Sequence, residues 1–184
     1  MRWDRLFDDL QAQVAAAEAA ELAGEIVERT RIEVGALRLR DRLRAALDTP
    51  VRLTCLGGEM VAGPLHRVGP DWLLVAERPE RDALVALSAV TSVAGLGPLT
   101  APPAELGVVE AKLDLRYALR GVSRDRAGVT LTLRDSTSVS GTIDRVGADF
   151  IEVAEHPTGE LRRAHTVRQV RTVPLTALAV VRTT

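Results

Sequence analysis

The sequence predicts a mainly β protein with helices (α+β), in which two tandem five-stranded small β-barrels, each preceded by a helix, follow a long N-terminal helix. Three observations predict this class. A segment of 29 residues that begins at Val51 recurs without a gap from Val129, with 13 identical positions, where unrelated sequences share about two. The apolar pattern changes near Pro50 from helical spacing to alternation. Each copy also carries a glycine inside its second predicted strand, which is typical of a sharply bent strand.

The N-terminal part of the chain is predicted to be helical. The first 47 residues contain no proline and are rich in Ala, Leu, Glu and Arg. Within residues 1–30, large apolar side chains recur at spacings of three and four, which places them on one face of an amphipathic helix. We predict that this face docks a partner, and its residues are Trp3, Phe7, Leu10 and Val14. Pro50 ends the helical region.

Alternation of apolar and polar residues begins at Val51 and continues through Cys55, as in a strand with one solvent-exposed face. Gly57-Gly58 is typical of a hairpin turn. The turn leads into a second strand, from about Glu59 to Val68. The remaining strands of the first copy are predicted at 72–77, at about 83–87 and after a tight turn at Ser88.

Two pairs of residues occupy equivalent positions in the copies and are predicted to be structural. Gly63 and Gly141 lie in the second strands, where we expect the bend that closes each barrel. Trp72 and Phe150 begin the third strands. A large apolar residue that anchors the barrel is the favoured interpretation there, and a platform that stacks a nucleic-acid base is the alternative.

Composition shifts give the domain boundaries. Residues 1–30 form the amphipathic helix, 31–96 the first barrel with its helix, 97–107 a linker rich in Pro and Gly, and 108–184 the second barrel with its helix. In the second copy, the helix is expected from about Ala104 to Arg120. The unit that repeats is therefore one helix followed by five strands.

The segment VTLTLRDSTSVSGTIDRVGADF resembles the first motif of the Sm-like family, which includes the bacterial RNA chaperones of the Hfq type. Val61 to Leu65 match the same motif in the first copy. The resemblance implies two Sm-like barrels and an association with RNA. It also implies that the fourth strand of one barrel pairs with the fifth of its neighbour, and two barrels in one chain satisfy one such pairing internally. The Lys-His pair of the second Hfq-type motif aligns with Leu87-Ser88 and Leu175-Thr176, so the RNA pocket of the family does not carry over.

An arginine-rich insertion distinguishes the second copy from the first. The formal net charge is −1, which excludes a uniform basic surface for nucleic acid. Clustered cations in the insertion predict contacts with phosphate groups, and the residues are Arg162, Arg163, His165, Arg168 and Arg171. The alternative is a solvated hairpin whose arginines form salt bridges.

Catalytic and cofactor sites are not predicted. His66, His156 and His165 are not spaced like metal ligands, and the one cysteine cannot complete a zinc site. No phosphate-binding glycine loop or nucleophile motif occurs. Cys55 lies in a predicted strand, so we expect a buried structural thiol, and a single cysteine fits a reducing compartment. No run of 18 apolar residues occurs, which predicts a cytoplasmic protein without a membrane span.

We therefore predict a non-catalytic binding or regulatory protein that associates with RNA or another nucleic acid through the basic hairpin. The alternative is a protein-interaction scaffold or adaptor that uses the N-terminal helix and the barrel edges. Pro174 lies in the fourth strand of the second copy, where it removes a backbone donor. We expect a homo-oligomer that is a dimer or small assembly rather than a closed ring.

Overall fold

A computed structural model describes residues 31–79, 81–102, 107–160, 162–163 and 165–183, together with Glu21. Residues 31–36 are helical. Residues 39–184 form one compact unit. The predicted docking face of Trp3, Phe7, Leu10 and Val14 lies outside the described residues.

Three short α-helices and ten strands follow one another in the described part of this unit. They are α1 (Leu39–Ala45), β1 (Pro50–Cys55), β2 (Met60–Val68), β3 (Trp72–Arg78), β4 (Arg81–Ala86), β5 (Val90–Ala94), α2 (Val108–Ala111), α3 (Leu115–Arg124), β6 (Gly128–Leu133), β7 (Ser138–Val146), β8 (Phe150–Glu155), β9 (Gln169–Pro174) and β10 (Leu178–Thr183). A single turn of 3-10 helix joins β4 to β5 and β9 to β10. The tight turn predicted between the last two strands of each copy is thus confirmed.

The ten strands form one open antiparallel sheet, in the order β5-β1-β2-β3-β4-β10-β6-β7-β8-β9. The prediction of two separate five-stranded barrels behind a long N-terminal helix is therefore wrong. The helices that the structure describes in residues 39–184 are short, and the sheet is continuous because β4 of the first copy pairs with β10 of the second. Residues 1–20 and 22–30 lie outside the described residues.

Apolar side chains explain why the two copies merge at this pair of strands. Val180 lies opposite Val85, and Val181 lies opposite Leu84. All four are at most 6% exposed. Separate barrels would leave these apolar strands as exposed edges, whereas pairing them satisfies their backbone groups and removes the side chains from water. The prediction that the fourth strand of one copy pairs with the fifth of the other inside one chain is confirmed.

The strand order itself repeats, since β5-β1-β2-β3-β4 in the first copy corresponds to β10-β6-β7-β8-β9 in the second. The outermost strands of the sheet are β5 and β9. Their side chains are mostly exposed, in contrast to those of β4 and β10. The two copies are thus joined by their apolar edges and end in polar ones.

Gly63 and Gly141 permit a close approach of neighbouring strands. A Cβ atom at Gly63 would lie 1.9 Å from the carbonyl oxygen of Ala76, and one at Gly141 would lie 2.1 Å from that of Ala154. Near these glycines, the partner of the strand changes: the first half of β2 pairs with β1 and its second half with β3. The repeated glycine is therefore required by strand contact in the open sheet, even though no separate barrel closes there.

The helix expected from Ala104 to Arg120 is divided into α2 and α3. Asp114 interrupts it and caps α3, where its side chain accepts a hydrogen bond from the Tyr117 N–H at 2.9 Å. Asp71, from the turn before β3, accepts a second one from the Leu115 N–H at 2.7 Å. A carboxylate of the first copy thus fixes the start of a helix of the second.

The core of this unit is made almost entirely of Leu, Val, Ile and Ala. Cys55 is buried there, as predicted. Burial raises the pKa of its thiol to about 11, and the nearby Glu59 carboxylate acts in the same direction. No helix in the described ranges is both long and apolar enough to cross a membrane.

Candidate functional site

The arginine-rich insertion is held to the sheet by two ion pairs. Arg162 donates from Nε and Nη2 to the two carboxylate oxygens of Asp144, at 2.6 and 2.8 Å. Arg171 lies in β9 and pairs with Glu155 of β8. The hydrogen bond from Arg171 lowers the pKa of Glu155, and Asp144 raises that of Arg162. These two arginines are therefore already matched by carboxylates, which agrees with the salt-bridged alternative for that part of the segment.

The other three predicted cations are Arg163, His165 and Arg168, and all three are exposed. Within the described residues, neither Arg163 nor Arg168 has an ion pair within 4.0 Å, although the charge of Arg168 helps to lower the pKa of the Glu155 carboxyl. Two backbone hydrogen bonds hold the segment. The Thr166 N–H donates to the Arg163 carbonyl at 2.9 Å and closes a turn, and the Arg168 N–H donates to the carbonyl of Glu155, the last residue of β8, at 2.8 Å. The insertion thus presents two arginines and a histidine to solvent from an anchored loop.

The joint of the two copies is the place where β4 of the first copy pairs with β10 of the second. A cleft of about 570 Å³ lies there, between α3 and the strands β2, β3, β4 and β10. Its floor is a row of three apolar side chains on adjacent strands, since Leu84 is opposite both Leu74 and Val181. One wall is formed by Tyr117, Ala118 and Val122 of α3. The strands come from the first copy and β10, while the wall comes from the helix that precedes the second copy.

Trp72, the first residue of β3, lines this cleft. Its indole Nε1–H donates to the Leu113 carbonyl at 2.8 Å. Its ring packs on Gly69, where a Cβ atom would lie 2.3 Å from the ring. Phe150 packs on Gly147 in the same way, with a corresponding distance of 2.5 Å. The packing of both rings on turn glycines favours the structural interpretation for these aromatic residues, and whether they also stack a base stays a prediction.

The joint also contains an ion-pair cluster around a buried arginine, which no motif of the sequence predicts. Arg182 of β10 is 8% exposed. It donates to both oxygens of Glu77, at 2.7 and 2.8 Å, and lies 2.7 Å from a carboxylate oxygen of Glu59. The bond from Arg182 lowers the pKa of Glu77. The aligned position in the first copy is Ala94, so a difference between the copies was the signal that could have identified it.

The three histidines do not come together. His66 lines the cleft at the joint. His156 is buried, with Nε2 2.9 Å from the Thr142 hydroxyl and Nδ1 3.0 Å from the Pro157 carbonyl oxygen. His165 is exposed in the insertion. In the part of the chain that the structure describes, no group of three or more His, Cys, Asp or Glu residues could hold a metal ion.

No protein-family model matches the chain, and no curated protein or solved structure matches it significantly. The Sm-like resemblance rests on the motif residues around Gly63 and Gly141 alone.

Proposed function

We propose that this chain is a non-catalytic cytoplasmic binding protein, related to the Sm-like family, that associates with single-stranded RNA or another nucleic acid. The contact surface is the exposed side chains of Arg163, His165 and Arg168. The observation that carries the proposal is the loop geometry: Arg162 and Arg171 anchor the loop through ion pairs, while two arginines and a histidine between them remain exposed.

The number of exposed arginines sets the expected salt dependence. Each phosphate neutralised on a single strand contributes about −0.7 to the slope of log K against log salt concentration. Two arginines therefore predict a slope of about −1.4, and all four would predict about −2.8. Between 50 and 200 mM salt, a slope of −1.4 weakens binding about sevenfold.

The test is a fluorescence anisotropy titration of labelled single-stranded RNA of mixed sequence with the full chain. Reversal of charge in the Arg163→Glu, Arg168→Glu double variant should abolish binding at 50 mM salt. The matched control is Arg52→Glu, Arg120→Glu, which changes the net charge equally at exposed positions of β1 and α3. Equal loss in both double variants, or no binding of the unaltered protein at 50 mM salt, would refute the nucleic-acid proposal.

A second candidate function is that of an adaptor that binds protein, with a second copy of this chain as the simplest partner. The observation in its favour lies at the helical segment 31–36: Val34 is 60% exposed, and Leu37, three residues further and joined to it by a hydrogen bond from its N–H to the Val34 carbonyl, is 39% exposed. Large apolar side chains at such exposure mark interaction surfaces when they lie together. Pro174 in the outermost strand β9 favours a dimer or small assembly over a closed ring.

Size-exclusion chromatography of the full chain with light scattering tests this second candidate function. We expect a dimer or small assembly that dissociates in the Val34→Asp, Leu37→Asp variant. Met60→Asp is the control, because Met60 is 62% exposed but lies in β2. A monomer in the unaltered protein would exclude a second chain as partner, and a stable closed ring of chains would contradict the predicted effect of Pro174.

A further inference from the structure

We propose that the cleft between α3 and the strands β2, β3, β4 and β10 binds a small, largely apolar organic molecule with an uncharged or zwitterionic polar end. The site shares no residue with the arginine loop proposed to contact nucleic acid. Its volume, about 570 Å³, lies within the range of small-molecule pockets, about 300–1,000 Å³.

The apolar part of the ligand would lie over Leu74, Leu84 and Val181, against the wall of α3. This floor is not a requirement of the repeat. Leu74 faces Leu84 in the first copy, but Glu152 faces Thr172 at the equivalent pair of the second. An apolar floor beside Trp72 and the 56% exposed Tyr117 thus occurs where a helix of the other copy adds a wall.

The polar end of the cleft defines the other half of the ligand. His66 is the extra residue of a bulge in β2, between the pairs Leu65 to Val75 and Arg67 to Leu74, and bulges often re-aim a side chain next to a site. Arg67, Asp82 and the hydroxyl of Thr183 line the same cleft. The formal charges of Arg67 and Asp82 cancel, so hydrogen-bond donors and acceptors are present without a net formal charge. A polar group that both donates and accepts hydrogen bonds fits this end, whereas a multiply charged anion does not.

Occupancy would connect the two copies. Leu74, Leu84 and Trp72 belong to the first copy, and Tyr117 and Val181 belong to the second with its helix. A molecule that contacts both sides binds only the joined sheet, and a ligand that binds only the native state stabilises it. Binding of a small molecule in the cleft should therefore raise the stability of the joint.

The test uses Nile red, an uncharged dye whose emission shifts to the blue in apolar surroundings, titrated against the full chain. We expect saturable binding that falls at least tenfold in Val122→Trp, which fills the wall side of the cleft. The matched control is Val170→Trp, at a 56% exposed position of β9 outside the cleft, and its affinity should stay within twofold. Dye affinity that is equal in both variants, or no saturable binding to the unaltered chain, would overturn the proposal.

Two further measurements keep the outcome decisive if Val122→Trp does not fold. Tyr117→Ser replaces an exposed side chain, so it should retain the fold and weaken dye binding about fivefold. The chain has two tryptophans, and Trp3→Phe leaves Trp72 as the single emitter. Bound dye should quench Trp72 in proportion to saturation. Saturation without quenching would place the dye elsewhere and refute the site.

Discussion

Removal of the Arg182 side chain should weaken the joint between the two copies more than any surface ion pair does. In Arg182→Met, the carboxylates of Glu77 and Glu59 lose the cation that lies 2.7 Å from each. Methionine retains most of the apolar stem, so the change in stability reports mainly the lost charge. The side chains of Arg182, Glu77 and Glu59 are 10%, 17% and 30% exposed, respectively.

The magnitude follows from these exposures. Breaking a fully buried pair by removing one partner costs about 3–5 kcal/mol, and an exposed pair contributes about 0–1 kcal/mol. Because the two carboxylates retain some contact with water, we expect about 3 kcal/mol. For a chain of this size, each kcal/mol lowers the melting temperature by about 2–4 °C, so the expected decrease is about 6–12 °C.

Thermal unfolding followed by circular dichroism, with urea unfolding for the free energy, measures the effect. The matched control is Arg145→Met, since Arg145 is 77% exposed and lies 3.6 Å from Glu152. Its loss should be below about 0.5 kcal/mol. Adding Glu77→Gln to Arg182→Met should recover part of the stability, because one unpaired carboxylate is then removed. If Arg182→Met is no less stable than Arg145→Met, the cluster does not hold the joint and the reasoning fails.

Three other predictions test the same structure. The pKa of Glu77 is lowered in the folded state, so its ion pair stabilises the fold above the ordinary pKa of 4.5, and this stabilisation is lost as pH falls through the folded pKa. The difference in unfolding free energy between the unaltered chain and Arg182→Met, measured in urea, should therefore shrink below that pH. A difference that stays constant with pH would contradict the ion-pair account. Gly141→Ala should lower the free energy of unfolding by about 1–3 kcal/mol, because its Cβ atom would meet the Ala154 carbonyl. Gly121→Ala in α3, where a Cβ atom would have nothing within 4 Å, should raise it by about 1 kcal/mol. Thermal unfolding that shows a change of the same sign for both variants would refute the close-approach argument. The pKa of the Cys55 thiol is about 11, so its thiolate fraction at pH 8 is about 100-fold lower than in the unfolded chain. Alkylation of the folded chain by iodoacetamide should therefore be slower by at least that factor. Equal alkylation rates in native buffer and in urea would show that the thiol is not buried.

The positions of the strands could be predicted because they depend on neighbours in the chain. Alternation from Val51 to Cys55, the Gly57-Gly58 turn and the tight turns before β5 and β10 are local features. The repeated Gly63 and Gly141 were also found from sequence, since comparison of the copies singles out residues that the backbone requires. Their physical reason, the contact with a carbonyl oxygen on the next strand, became evident only from the structure.

The candidate site was predicted only as a set of residues. Clustered arginines identify a segment that can bind anions, but they do not state which carboxylates lie beside it. Asp144 and Glu155 are 18 and 16 residues away from Arg162 and Arg171, and folding brings them into contact. The cleft at the joint and the cluster around Arg182 combine residues of both copies, so no local pattern could indicate them.

By itself, the sequence determined the duplication, the order of strands in each copy and the glycines that let adjacent strands approach closely, because these depend on local conformation and on comparison of the copies. Only the tertiary structure decided that the copies share one open sheet instead of closing as two barrels. That choice depends on which apolar strand edges meet, and Val85, Leu84, Val180 and Val181 are buried by pairing with each other. Long-range edge pairing is a property of the folded chain, and it also created the cleft and the ion-pair cluster around Arg182.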